Sequence, residues 1–271
     1  MLLDYYAFII LSTTFQYEQP QNHHNLFTKT GRYIRNLDIV LPVLQKSNLI
    51  VYGEIHGIKE NANIVYTLVK KTCIQRLAIE ASPTVFDFIN SVKINSYDFS
   101  LVDEDLFDLS VLSLEMIKTI AILLQQNQLK ELVFIDTFFD FLFFDNLDED
   151  AIIPPSPQER EEQLAKNILG IDGSLPTLCI MGQWHTQPKV VTDGETRHES
   201  ALYRLRKTKP NVPFIHNIYR QGELFNDGKI IELIIELPDN PAVSSCYEII
   251  QRTGVDFDLC VPKATRIDIP E

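Results

Sequence analysis

Between residues 48 and 207 the chain alternates short apolar runs with stretches of helical periodicity. Residues 48–53 are a β-branched run closing on glycine, the pattern of a strand buried on both faces. Ile58, Ala62, Val65, Leu68 and Val69 then recur at helical spacing, with Lys70 and Lys71 in the last turn. Residues 74–79 form a second run. Ser82-Pro83 offers an N-cap and first-turn pair for a helix to about residue 92. Residues 111–126 predict an amphipathic helix and 132–136 a third strand. Ser156-Pro157 opens a helix to about residue 169, and 177–182 is a fourth strand. A polar loop, with His198 on an exposed helix near 199–207, follows.

Strands alternating with helices in this way predict an α/β fold, a mostly parallel central sheet with helices on both faces. Residues 213–219 and 229–237 read as two further strands that pair antiparallel at an edge, joined through the turn Asn226-Asp227-Gly228. A single domain over 1–271 is expected: a lead-in with a short helix near 39–45, a core at 48–207, and C-terminal strands completing the sheet.

Composition narrows the partners. With 24 Lys and Arg against 37 Asp and Glu, the net charge is −13, and nucleic acid or an anionic membrane surface is a poor partner. Fourteen acids and two lysines between 94 and 159 supply twelve of those charges. These acids form either a solvated face or a rim that favours neutral or cationic substrates. The four cysteines lie far apart with no C-x-x-C pair, which suits a reducing compartment. The first eleven residues lack a basic segment, and Asp4 interrupts their apolar run. They read as a packed arm, and the expected location is cytoplasmic, with no membrane span. The partner is a small-molecule or peptide substrate.

The chemistry sits at the strand ends. The four runs close on Gly53-Glu54-Ile55-His56, Ile79-Glu80, Ile135-Asp136 and Gly182-Gln183-Trp184-His185. In a parallel sheet these ends share the carboxyl edge, where α/β folds bind ligands. Residues two apart on extended chain point the same way, so Glu54 and His56 converge. Two histidines with Glu and Asp suit proton transfer near neutrality, or a divalent transition metal held by His56, Glu80 and His185. Asp136 reads as a cap or salt-bridge partner. Trp184, the only tryptophan, is either a packing aromatic or a stacking surface over the site. His216 reads as a strand histidine in or near the core. His23 and His24 lie in a polar, solvated lead-in.

Gly53-Glu54-Ile55-His56-Gly57, the strand-end Glu80, the run Arg160-Glu161-Glu162-Gln163-Leu164-Ala165-Lys166-Asn167-Ile168, and Gly182-Gln183-Trp184-His185 resemble, in that order, the motifs of a known superfamily. It groups erythromycin-esterase-like enzymes, ChaN-type haem-uptake proteins, and the Tiki and TraB families. Leu164 stands where methionine is common. The resemblance implies His56, His185, Glu54, Glu80 and Arg160 around one pocket, without implying one activity; the leading expectation is a hydrolase cleaving an ester, lactone or amide. In it His56 or His185 activates water, Glu54 and Glu80 orient it or share a metal, and Arg160 neutralises Glu54 or Glu80 or binds an anion. Without the motif, Arg160 reads as a surface residue paired with Glu159 or Glu161. The alternative is a non-catalytic protein that binds haem or another apolar ligand in the same pocket, with the phenylalanine-rich segment 138–144 as its flap.

Overall fold

The computed structural model describes residues 34–81, 112–137, 156–193, 196–226, 229–234 and 247–267. The expected arm at 1–11, His23 and His24, the helix from Ser82, the acidic segments 98–108 and 140–150, and the flap 138–144 lie outside them.

The buried runs are strands. β2 (Leu49–Glu54), β3 (Arg76–Ile79), β4 (Glu131–Phe134) and β5 (Thr177–Gly182) pair in parallel. With β1 (Ile34–Arg35), β8 (Phe214–Tyr219), β11 (Tyr247–Gln251) and β12 (Asp256–Val261) they form one sheet in the order β1-β11-β12-β8-β2-β5-β3-β4. The pair β11–β12 is its only antiparallel junction among the described residues. β2, β5, β3, β4 and β8 therefore all end at one edge.

Helices α1 (Leu37–Leu44), α2 (Glu60–Thr72) and α3 (Leu114–Gln125) cover one face, packing on Ile50, Tyr52, Leu77, Ile79, Leu178 and Ile180. Helices α4 (Pro157–Gly170) and α5 (Ala201–Thr208) cover the other, against Val51, Ala78, Cys179 and Met181. Successive strand residues alternate between these two cores, which is why the runs lack a polar face. Ser113, Ser156 and Ser200 cap α3, α4 and α5, each side chain accepting from the backbone N–H of the third residue of its helix. At the amino edge, buried Arg76 donates to Glu131 (2.8 Å) and to the Asp172 carbonyl (2.8 Å), fastening β3 to β4 and to the α4–β5 link.

The expected pairing of 213–219 with 229–237 is incorrect. β8 lies inside the sheet, parallel to both β12 and β2. The second segment, β10 (Lys229–Ile234), pairs antiparallel with β9 (Gln221–Asn226) in a separate ribbon. The register Asn226↔Lys229 leaves two residues to join them, so the nearest partner in sequence takes the turn. β9 carries no strand pattern at its start, where Gln221, Gly222 and Glu223 stand. A further short hairpin, β6 (Val191–Asp193) with β7 (Thr196–His198), precedes α5. No helix among the described residues is long and apolar enough to cross a membrane.

Candidate active site

Glu54 is the last residue of β2, and the chain then turns. Extended geometry brings His56 back alongside it, with Nδ1 3.2 Å from Glu54 Oε1. The turn is held from two sides. Asn61 in the first turn of α2 donates to the Ile55 carbonyl at 2.7 Å, and the Gly57 carbonyl accepts from the N–H groups of Phe225 (3.3 Å) and Ile267 (3.0 Å). Gly57 has φ of 72°, and a Cβ there would lie 1.7 Å from the Phe225 carbonyl oxygen, so only glycine fits.

Buried Glu80 follows β3. Its Oε2 accepts from the Gly182 N–H at 2.7 Å; its Oε1 lies 2.9 Å from Arg160 Nη2 and 3.0 Å from His185 Nε2. Asp136, after β4, accepts from Arg160 Nε (3.2 Å) and Nη2 (2.6 Å). Arg160 thus bridges two carboxylates from different strand ends. It turns to Glu80 and Asp136 rather than to Glu54 or to its neighbours, because Glu159 closes the capping box with Ser156 and Glu161 points to His185. The salt-bridge role expected for Asp136 is the one it occupies. Asn167, two turns along α4, donates to the Ile135 carbonyl at 2.8 Å and fixes the β4 end against that helix.

His185 lies in a single 3-10 turn, Gln183–Thr186, directly after β5. Its Nδ1 is 2.7 Å from Glu161 Oε1, so both ring nitrogens face carboxylates. Glu161 is buried and also accepts from the Ala201 N–H at 2.7 Å, tying the start of α5 to the site. Sequence reasoning gave Glu161 no role of its own. The signal was present: Glu161, Leu164, Ala165 and Ile168 follow helical spacing, so this acid stands on the buried stripe of α4.

The two motifs meet at Gly182. A Cβ on Gly182 would stand 2.6 Å from His56 Nε2, so the second Gly-x-x-His motif opens the space that the first motif's imidazole fills. Electrostatics then separate the two histidines. For His185, burial pushes its pKa down, but Glu80 and Glu161 outweigh it and raise it to about 9. It is an imidazolium at neutral pH. Burial also opposes the charge on Glu80, yet His185, His56 and Arg160 hold its carboxyl at about 2. His56 is raised as well: burial lowers it, and the Glu54 carboxylate with Glu80 beyond overcomes that. Glu54 is raised by burial, only partly offset by His56.

Two other sequence readings change. His198 is a buried strand residue and not an exposed helix residue, because Ser200 caps α5 and starts it only at Ala201. Its ring stacks on Trp184 with centroids 4.4 Å apart. His216 is a strand residue, as expected, but half-buried, 3.6 Å from Asp258. A metal held by His56, Glu80 and His185 does not fit this arrangement. Both nitrogens of His185 and both oxygens of Glu80 are engaged by protein groups, and among the described residues no three His, Cys, Asp or Glu side chains are placed to hold an ion.

The architecture is erythromycin-esterase-like. An erythromycin esterase, solved as a histidine-to-asparagine variant in an open conformation, superposes with a TM-score of 0.59 at 10% identity, over 88% of this chain and 98% of that one. A protein from Bacillus cereus matches with a TM-score of 0.59 at 10% identity over 90% and 96% of the two chains. A succinoglycan biosynthesis protein matches with a TM-score of 0.55 at 12% identity over 87% and 92%. At these identities the likeness is one of fold. No protein-family model matches the chain, and no curated protein matches it in sequence.

Proposed function

We propose that the protein is a hydrolase that cleaves an ester, lactone or amide at the carboxyl edge of its sheet, with His56 as general base. The observation that carries this reading is the unequal partnership of the two histidines. His56 is the more exposed, at 20% against 7% of the side chain. Its Nδ1 meets Glu54, and among the described residues its Nε2 has no protein hydrogen-bond partner. A carboxylate on one nitrogen orients the ring and strengthens the other nitrogen as a base toward water. His185, carrying its proton between two carboxylates, has no nitrogen with which to take another.

In this reading Glu54 orients His56. Glu80 gathers Arg160, His185 and the Gly182 N–H into a rigid floor. The Arg160 guanidinium, shared between Glu80 and Asp136, and the His185 ring, held between Glu80 and Glu161, keep that floor in place. No step needs a metal. The fold shared with an erythromycin esterase supports the reaction class and does not choose the substrate.

The test is a panel of ester, lactone and amide substrates with wild-type protein and His56→Ala. Losing a general base should lower turnover by roughly a hundred- to ten-thousandfold. A well-folded His56→Ala with full activity on every substrate that wild type cleaves would overturn the assignment.

A further inference from the structure

We infer that Trp184 is a stacking platform for an aromatic ring carried by the substrate, so that aryl esters or amides are the preferred class; this rests on the hydrolase reading above. Trp184 is 54% exposed, although burying an indole releases as much apolar surface as any side chain can. Among the described residues the other exposed large apolar side chains are isoleucines on α1, β10 and β11, whereas Trp184 adjoins His185 in the same short turn.

Its exposure is not that of a loose side chain. One face of the indole lies on the His198 ring at 4.4 Å, with 29° between the planes. His198 is itself buried, its Nε2 3.3 Å from the Trp184 carbonyl oxygen and 3.5 Å from Glu161 Oε1. Glu161 is the carboxylate that also holds His185 Nδ1. One buried acid therefore fixes the distance between the charged imidazole of the site and the base of the indole. A flat apolar surface backed by a partner and ordered in advance loses little freedom when a ring settles on it. Offset stacking with an aryl group adds attraction beyond simple burial, whereas a short alkyl chain offers only contact area.

Because the chain has a single tryptophan, its fluorescence reports this one site. Phenyl butyrate and ethyl butyrate are titrated into the His56→Ala protein, exciting at the red edge of indole absorption where neither ester absorbs. The phenyl ester should change the emission in a saturable way and the ethyl ester should not. In parallel, Trp184→Ala should lower the ratio of kcat/KM for phenyl over ethyl butyrate by up to about tenfold, and Trp184→Phe should recover most of it. An emission insensitive to both esters, or a ratio unchanged in Trp184→Ala, overturns the platform. The two readings fail separately: turnover that survives in His56→Ala sinks the catalytic assignment, while the emission response still decides Trp184.

Discussion

The turn after β2 and the turn after β5 carry the same Gly-x-x-His spacing at the same sheet edge, yet they leave their histidines in different states. After β2 the chain opens into a turn stapled through Gly57 to Phe225 and Ile267, and His56 keeps one carboxylate partner. After β5 it tightens into a 3-10 turn that drives His185 inward between Glu80 and Glu161. A motif of four residues specifies where an imidazole enters the site. What the imidazole can do there is decided by its carboxylates: for His56 the motif's own Glu54, for His185 Glu80 after β3 and Glu161 on α4, far away in sequence.

The difference is open to direct attack through those carboxylates. Glu80 is buried with three donors, and ionisation there is favoured by its surroundings. Glu80→Leu leaves Arg160 and His185 with one carboxylate partner fewer each, and should cost about 3–5 kcal/mol, the typical effect of breaking a buried ion pair. Glu54 has the opposite character, its charge opposed by burial and eased mainly by His56. Glu54→Gln should therefore change stability by about 1 kcal/mol or less while lowering activity. Urea unfolding of both variants checks the contrast. Equal losses would mean that the two turns are energetically alike.

The glycines of the two turns give a second, smaller separation. Gly57→Ala places a methyl on backbone in a left-handed conformation, and should cost about 2 kcal/mol or more. Gly182→Ala meets only the far end of a side chain, the His56 ring. It should displace that ring, lowering kcat more than stability. Gly173→Ala, with nothing within 4 Å of the added carbon, is the control and should stay within about 0.5 kcal/mol of wild type. Full activity in a folded Gly182→Ala protein would show that the His56 position is not held by this contact.

The parts of this site legible in the sequence were those that a local pattern announces. β2, β3, β4 and β5 stand out because both faces of each are covered, and their closing residues then fall on one edge by topology alone. β12 could have been read from the alternation of Asp256 and Asp258 with buried Phe257, Leu259 and Val261, but two acids masked the apolar half. β1, of two residues, carries no pattern to read. Glu161 was obscured by acids on either side, Glu159 and Glu162, that share its chemistry but not its burial. Of the two partners of Arg160, Glu80 was among those the motif offered and Asp136 was not. The choice depends on where β3 and β4 end relative to the first turn of α4, a three-dimensional fact.

The same contrast sets a pH signature for stability. His185 is raised in the folded protein from an ordinary 6.5 to about 9, so its contribution is complete below pH 6.5 and is lost as pH climbs through 9. Glu80 is lowered from 4.5 to about 2, so its contribution is complete above pH 4.5 and is lost as pH falls through 2. The fold should be most resistant to urea between these limits and weaken on both sides. His56 is raised too and adds to the alkaline loss, but with one direct carboxylate partner its share should be the smaller. His185→Asn should therefore flatten the decline between pH 6.5 and about 9 more than His56→Asn does. If His56→Asn flattens it more, the strongly held proton belongs to the β2 turn, and the roles assigned to the two histidines must be exchanged.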